Sequence, residues 1–293
     1  FRLKVNTILT YGTVIMHSIA FQIGRLNIHW YGIFIALGFL AALAVLQYKR
    51  KYANMTPDQI FDIGIIAVVG GVIGARIFYV IEFRHQFSGN LLKIFRIDQG
   101  GLVFYGGFLL VLVILWLYSR WKKLSIARIF DIYGPAMALG HAFGRIGCFM
   151  QGCCFGRPAQ HGGVAFPAGS APALKYPDFA TTKIAENGQT FICSLSLHPV
   201  QLYESAANLL LCIALLLLFR KVKKVGQIAA SYFIGYGLIR FSLEFLRGDH
   251  TDSILGMTPA QFIGIFIMIP CGIFFYLYFG KYGEDAYAAG KPE

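Results

Sequence analysis

Charge is what this sequence has least of. Charged residues make up 14% of its 293 residues, where a soluble domain carries about a quarter. Acidic residues are the scarcer sign, 14 Asp and Glu against 26 Lys and Arg, for a formal net charge of +12. There is no low-complexity tract and no clear internal repeat, which argues against a disordered tail or a repeat-built transporter. No CxxC pair occurs among the six cysteines, so the commonest spacing of a zinc or redox motif is missing. From Phe1 onward no cleavable signal peptide is evident.

What fills the chain instead is apolar. Hydrophobic residues are 57% and aromatics 16%, and the mean hydropathy is +0.60. The class is therefore a polytopic, all-α integral membrane protein. A basic balance alone could mark a nucleic-acid binder. In so apolar a chain it reads as loop Lys and Arg facing an anionic membrane surface, with no nucleic acid as partner.

A membrane-spanning helix needs about 20 mostly apolar residues. Seven such spans are expected at 30–48, 60–81, 102–119, 128–149, 200–219, 227–246 and 260–279. Basic clusters follow the first, third and fifth: Lys49, Arg50 and Lys51; Arg120, Lys122 and Lys123; Arg220, Lys221, Lys223 and Lys224. The positive-inside rule then puts the N-terminus outside and the C-terminus in the cytoplasm. Residues 1–29 are expected as an interfacial or extended segment and 30–154 as spans one to four. Residues 155–198 are expected as a small outward-facing head held by the spans rather than by its own core. Residues 199–293 hold spans five to seven and the tail. Pro270 is expected to kink the last span.

This orientation brings polar groups to one layer near the outer face. Tyr31 and Tyr105 start spans, Arg76 and Arg145 end spans, Glu204 lies in the first turns of span five, and Arg240, Glu244 and Arg247 end span six. Buried charge is costly in a span and marks function by default. The last three fall at i, i+4 and i+7, on one helix face, where an internal ion pair is the plain alternative. Arginines at that depth suit a phospholipid phosphate, since the guanidinium fork matches phosphate oxygens with paired hydrogen bonds. The glycine pairs Gly70–Gly71, Gly100–Gly101 and Gly106–Gly107 suit either close helix packing or a phosphate cradle, and for the first pair packing is the better reading. Cys212 and Cys271, inside apolar runs, read as small buried hydrophobes. Cys148, Cys153 and Cys154 could be a disulfide partnership, with Cys193 among the candidates, packing, a metal site, or a nucleophile that carries an acyl or glyceryl group; packing or a disulfide is the better reading. His141 reads as a buried, hydrogen-bonded side chain, and His198 as capping the helix or orienting Glu204.

Six stretches, taken together and in order, resemble the bacterial prolipoprotein diacylglyceryl transferase family. They are His29-Trp30-Tyr31-Gly32, Gly74-Ala75-Arg76-Ile77, Gly100 to Gly107 (GGLVFYGG), Gly144-Arg145-Ile146-Gly147, His198 to Glu204 (HPVQLYE) and Gly235 to Phe245 (GYGLIRFSLEF). The resemblance implies transfer of diacylglyceryl from phosphatidylglycerol to the lipobox cysteine thiol of a prolipoprotein signal peptide, in the bacterial inner membrane. The product is a thioether, glycerol phosphate leaves, and neither metal nor cofactor takes part. It implies catalytic roles for Tyr31, Tyr105, Arg145, Arg240 and Glu244. It assigns the headgroup to Arg76, Arg145, Gly156, Glu204, Arg240 and Arg247. Three positions depart from the family pattern: Tyr105 stands where His is common, Cys148 where Asn is, and Cys153 where Glu is. They leave the general base unassigned and give Tyr105 a hydrogen-bond role. They also leave open a paralogue with another acceptor, or a non-enzymatic lipid-binding or transport protein.

Overall fold

The computed structural model describes residues 9–10, 13–14, 18–24, 26–87, 91–96, 101–159, 163–167, 169–176, 181–184, 190–193, 196–249 and 257–285. In chain order, two short antiparallel hairpins come first, β1 (Leu9–Thr10) with β2 (Thr13–Val14) and β3 (Ile19–Ile23) with β4 (Leu26–His29). The helices α1 (Trp30–Lys49), α2 (Pro57–Glu82), α3 (Phe104–Trp121) and α4 (Ile126–Gln151) follow. A short helix α5 (Ala171–Lys175) and a hairpin of β5 (Thr181–Ile184) and β6 (Thr190–Cys193) lie in the segment expected as the head. The chain returns to long helices in α6 (Val200–Leu218), α7 (Gln227–Glu244) and α8 (Pro259–Tyr282). Long helices thus stand at each of the seven expected places, to within a turn. The stretch before α1, expected as interfacial or extended, is extended where it is described.

Four of them, α1, α2, α6 and α8, are long and apolar enough to cross a membrane. The helices α4 and α7 are more polar because they carry Asp131, His141, Arg145, Arg240 and Glu244. The outward faces are apolar: Ile65, Leu210, Leu217 and Leu277 are all more than half exposed. In water such contiguous apolar surface is a liability; against acyl chains it is ordinary. Cys271, expected buried, belongs to this outward surface. Hydrophobicity alone does not distinguish a lipid-facing position from a core position, and here lipid supplies the cover.

Two compact units are present. One takes in the described residues up to Ala42 and from Tyr133 onward, the other Leu43–Ile132. In the second unit, α2 and α3 touch backbone to backbone. A Cβ on Gly74 or on Gly107 would lie 2.5 Å from the carbonyl oxygen of Gly106 or of Gly71 respectively. Glycine is therefore required at this crossing, and packing is what these glycines do. In the first unit, Gly237 of α7 and Gly264 of α8 meet in the same manner.

Both α2 and α8 open with the same device. Thr56 and Thr258 accept from the backbone N–H of Gln59 and Gln261, whose side chains return to the Thr N–H, with Pro as first helical residue. Both also contain one π-helical turn, Ile66–Gly70 and Gly264–Met268. In α8 that wide turn directly precedes Pro270 and relieves the clash of its ring with the preceding turn.

The segment expected as the head packs against the long helices. Phe155, Phe166 and Leu197 are buried together with Phe149 of α4, and Met150, Val164, Tyr176 and Leu202 pack on them. This small core is shared with α4 and α6, so the segment packs on the long helices rather than around a core of its own.

Candidate functional site

Arg145 stands near the end of α4, six residues before Gln151 closes it. Its Nη2 lies 2.9 Å from Glu204 Oε1, in the first turns of α6. The other oxygen of Glu204 lies 3.9 Å from Arg240 Nη1 of α7, and that same nitrogen is 2.8 Å from Glu244 Oε2 one turn later. Glu244 Oε2 is in turn 3.8 Å from Arg247 Nε. Arg247 ends the chain of charges in a two-pronged pair with Asp249, at 2.9 Å and 2.6 Å. Positive and negative groups alternate along this line, three of each. The two glutamates are almost wholly buried, with side-chain exposure of 2% at Glu204 and 0% at Glu244, whereas Arg145 keeps 19% and Asp249 21%. A buried charge survives only when it is paired, and each member here pairs its neighbours.

The surroundings fix this line in place. Thr258 donates its hydroxyl to Glu244 Oε1 at 2.8 Å while its oxygen also caps α8, so one side chain ties the site to a helix start. Ser205 Oγ donates to the Ala142 carbonyl at 2.8 Å and links α6 to α4 beside Glu204. His141 packs its ring on Tyr236 at 4.9 Å and meets the Tyr232 hydroxyl at 3.4 Å, which agrees with a buried, hydrogen-bonded histidine. Burial works against the Arg247 charge, and the hydrogen bonds to Asp249 more than offset it, so the guanidinium is held above its ordinary value.

Gly156 follows α4 and makes the crossing through which this region closes. Its N–H donates to the His198 carbonyl, and it bridges to Arg247 as an antiparallel pair. Flanking bonds run from Arg157 N to Leu246 O at 2.8 Å and from Gly248 N to Phe155 O at 3.0 Å. A Cβ on Gly156 would collide with the His198 backbone oxygen and the Val200 side chain. Gly156 thus holds the post-α4 strand between the approach to α6 and the exit of α7. Tyr31, in the first turn of α1, rests on Gly147 of α4, two residues from Arg145, and is 41% exposed.

Of the residues expected from sequence, Tyr31, Arg145, Gly156, Glu204, Arg240, Glu244 and Arg247 come together in the first unit. Arg76 and Tyr105 belong to the second. The Arg76 fork donates to the carbonyls of Ile94, Gly101 and Lys93 at 2.7, 3.0 and 2.6 Å, and stacks near Tyr79 and Phe87. It clamps the stretch ahead of α3. Tyr105 is exposed in the first turn of α3.

Two partners were missed by sequence reading. Asp249 was legible as an acid two residues after an expected buried arginine. Thr258 was legible as the opening of a Thr-x-x-Gln capping box, although its second bond to Glu244 was not.

Cys148, Cys153 and Cys154 lie beside Arg145 as free thiols. Hydrogen bonds from Cys148 and Cys153 hold the Cys154 thiol far below the ordinary thiol range, and those to Cys148 and Cys154 push Cys153 up. The side chain of Cys193 lies outside the described residues.

The sequence matches, over residues 18–278, the family model described as prolipoprotein diacylglyceryl transferase. A phosphatidylglycerol–prolipoprotein diacylglyceryl transferase of Clostridium tetani is 34% identical over 262 residues, covering 88% of this chain and 96% of its own length. Proteins of the same name from Clostridium kluyveri and Clostridium botulinum are 36% and 35% identical, covering 92% and 89% of this chain and 99% and 96% of theirs. With that coverage of the membrane helices and of every site residue named above, the chain belongs to the prolipoprotein diacylglyceryl transferase family.

Proposed function

We propose that this chain transfers the diacylglyceryl group of phosphatidylglycerol to the lipobox cysteine of prolipoproteins, from the outer side of the bacterial inner membrane. The observation that carries the reading is the buried line from Arg145 to Asp249, in a chain of this family. The thiolate of the acceptor cysteine attacks the glyceryl carbon that bears the phosphate ester. An S–C bond forms, the C–O bond breaks, glycerol phosphate leaves with the electron pair, and the thiol proton passes to solvent or a base. The attacking species must be thiolate.

Negative charge grows on the departing phosphate, and preformed cationic donors in a site screened from water stabilise it most. Arg145 and Arg240 take that role. Arg76, Gly156, Glu204 and Arg247 hold the headgroup and its surroundings, while Tyr31, Tyr105 and Glu244 orient the reacting groups. All seven long helices span the membrane, with the N-terminus outside, the C-terminus in the cytoplasm and the segment 155–198 as an outer head. Substrate lipid enters sideways, and the signal-peptide cysteine meets it at the outer interface.

The test is complementation of a bacterium depleted of its own diacylglyceryl transferase, followed by mass spectrometry of a reporter lipoprotein. A diacylglyceryl mass on the lipobox cysteine is expected. Its absence, with the protein folded in the membrane, overturns the reading and favours a member with another acceptor.

A further inference from the structure

Cys148, Cys153 and Cys154 are spaced C-x4-C-C, a pattern that matches no common metal motif, yet the fold draws them together. Their three sulfur atoms all lie within 4.8 Å of one another, partly buried and not joined in a disulfide. The backbone builds this convergence. Cys148 stands in the last turn of α4, and the chain leaves the helix through Gly152 at φ +73°. Cys153 N–H then donates back to the Cys148 carbonyl at 3.1 Å, and the Cys153 carbonyl is fixed by Gln201 Nε2 at 2.8 Å. Cys154 takes φ 59°, a left-handed conformation uncommon outside glycine. In an extended chain neighbouring side chains point to opposite sides; the left-handed turn brings the vicinal thiols to one side, facing Cys148.

The spacing fits an ion. Zinc holds thiolate at about 2.3 Å, so two thiolates on a tetrahedral zinc sit roughly 3.8 Å apart. Sulfurs no more than 4.8 Å apart reach that separation by shifts of an ångström or less, within the reach of side-chain adjustment. Sulfur-only ligation selects soft or borderline cations over magnesium or calcium. Charge also fits: three thiolates on a dication leave one net negative charge, and Arg145 and Arg247 are the cations acting on Cys154.

We propose that Cys148, Cys153 and Cys154 form a three-thiolate site for a divalent cation of the zinc class, leaving the fourth tetrahedral position to an outside ligand, water or a thiol. This site goes beyond the transfer reaction and stands whether or not that reaction is the one catalysed.

The full chain, purified in detergent with a tag free of histidine and cysteine, is analysed for metal by mass spectrometry. It is then loaded with Co²⁺ and read by absorption. About one equivalent of zinc per chain is expected, with an intense thiolate-to-cobalt charge-transfer band after exchange. Cys153→Ser and Cys154→Ser should each lose the metal and the band, while Cys271→Ser, which removes a thiol outside the cluster, keeps both. Wild-type protein that takes up neither zinc nor cobalt overturns the proposal, as does full retention in both cluster variants. A mass two hydrogens short, mapped to a disulfide within the cluster of unreduced protein, also overturns it. If a cluster variant fails to fold, the wild-type cobalt spectrum decides alone, since only sulfur ligands give that band.

Discussion

Glu204→Gln is the most informative single change, because Glu204 is the only carboxylate of the described line that faces both Arg145 and Arg240. The substitution keeps the shape and removes one negative charge from a side chain that is 2% exposed. With an effective dielectric of 20, attractions at 2.9 Å and 3.9 Å are worth about 6 and about 4 kcal/mol before desolvation. Relief from burying the carboxylate returns several of these, so a net loss of about 3–5 kcal/mol is expected, the usual cost of removing one partner from a buried pair. In a chain of this size that lowers the midpoint of thermal unfolding by on the order of 10 °C. Differential scanning fluorimetry on tryptophan emission in detergent reads it, with Arg145→Met and the double variant completing a cycle. The double variant should fall short of the summed losses by more than 1 kcal/mol, roughly the coupling that residues in contact show. A Glu204→Gln melt indistinguishable from wild type, or a cycle that adds to zero coupling, would refute the hub role.

Arg145→Ala should reduce diacylglyceryl transfer by at least about a hundredfold, the size of losing one donor to a developing anion; normal turnover in membranes would remove Arg145 from the chemistry. Gly156→Ala should cost about 1–3 kcal/mol by overpacking against His198 and Val200, read as a lowered melting midpoint and faster proteolysis after α4, and an unchanged melt would mean the crossing is looser than its geometry. Thr258→Val removes the bond to Glu244 and the cap of α8 together, about 2–4 kcal/mol in all. Thr258→Ser, which keeps the hydroxyl, should restore most of it, and failure of that rescue would show that the hydroxyl alone does not hold these bonds.

The helices were legible because their signal is simple. A span is an apolar run of fixed length, and each of seven runs became a helix near its expected ends. Arg240, Glu244 and Arg247 were legible as one face because three and four residues make a helical turn, and the structure pairs all three. What the sequence did not carry was partnership across distance. Glu204 meets Arg145 from a helix more than fifty residues away, and Thr258 meets Glu244 across a loop. Nothing in local periodicity encodes either. The same holds for Arg76, whose bonds to the carbonyls of Ile94, Gly101 and Lys93 join residues that periodicity does not connect.

The alternating charges bear directly on how an anionic lipid would bind. Three arginines facing three carboxylates leave little net positive charge to attract a phosphate. A headgroup must therefore compete with a carboxylate for a guanidinium. Along the line the arginines are not equal competitors. Arg247 is 5% exposed and held on both sides by Glu244 and Asp249, and Arg240 stands between two carboxylates. Arg145 has one close carboxylate partner, at a single nitrogen, and the greatest exposure of the three. A phosphate oxygen meeting Arg145 would use its open side without breaking the pair to Glu204. Charge added there would draw Arg145 from Glu204 and push Glu204 toward Arg240, now 3.9 Å away. The line can pass that shift along because its inner members, Glu204, Arg240, Glu244 and Arg247, each face two partners. On this reasoning the carboxylates keep the arginines aimed in a low-dielectric setting, so that the field is in place before the phosphate leaves, which is the condition under which such donors lower a barrier most.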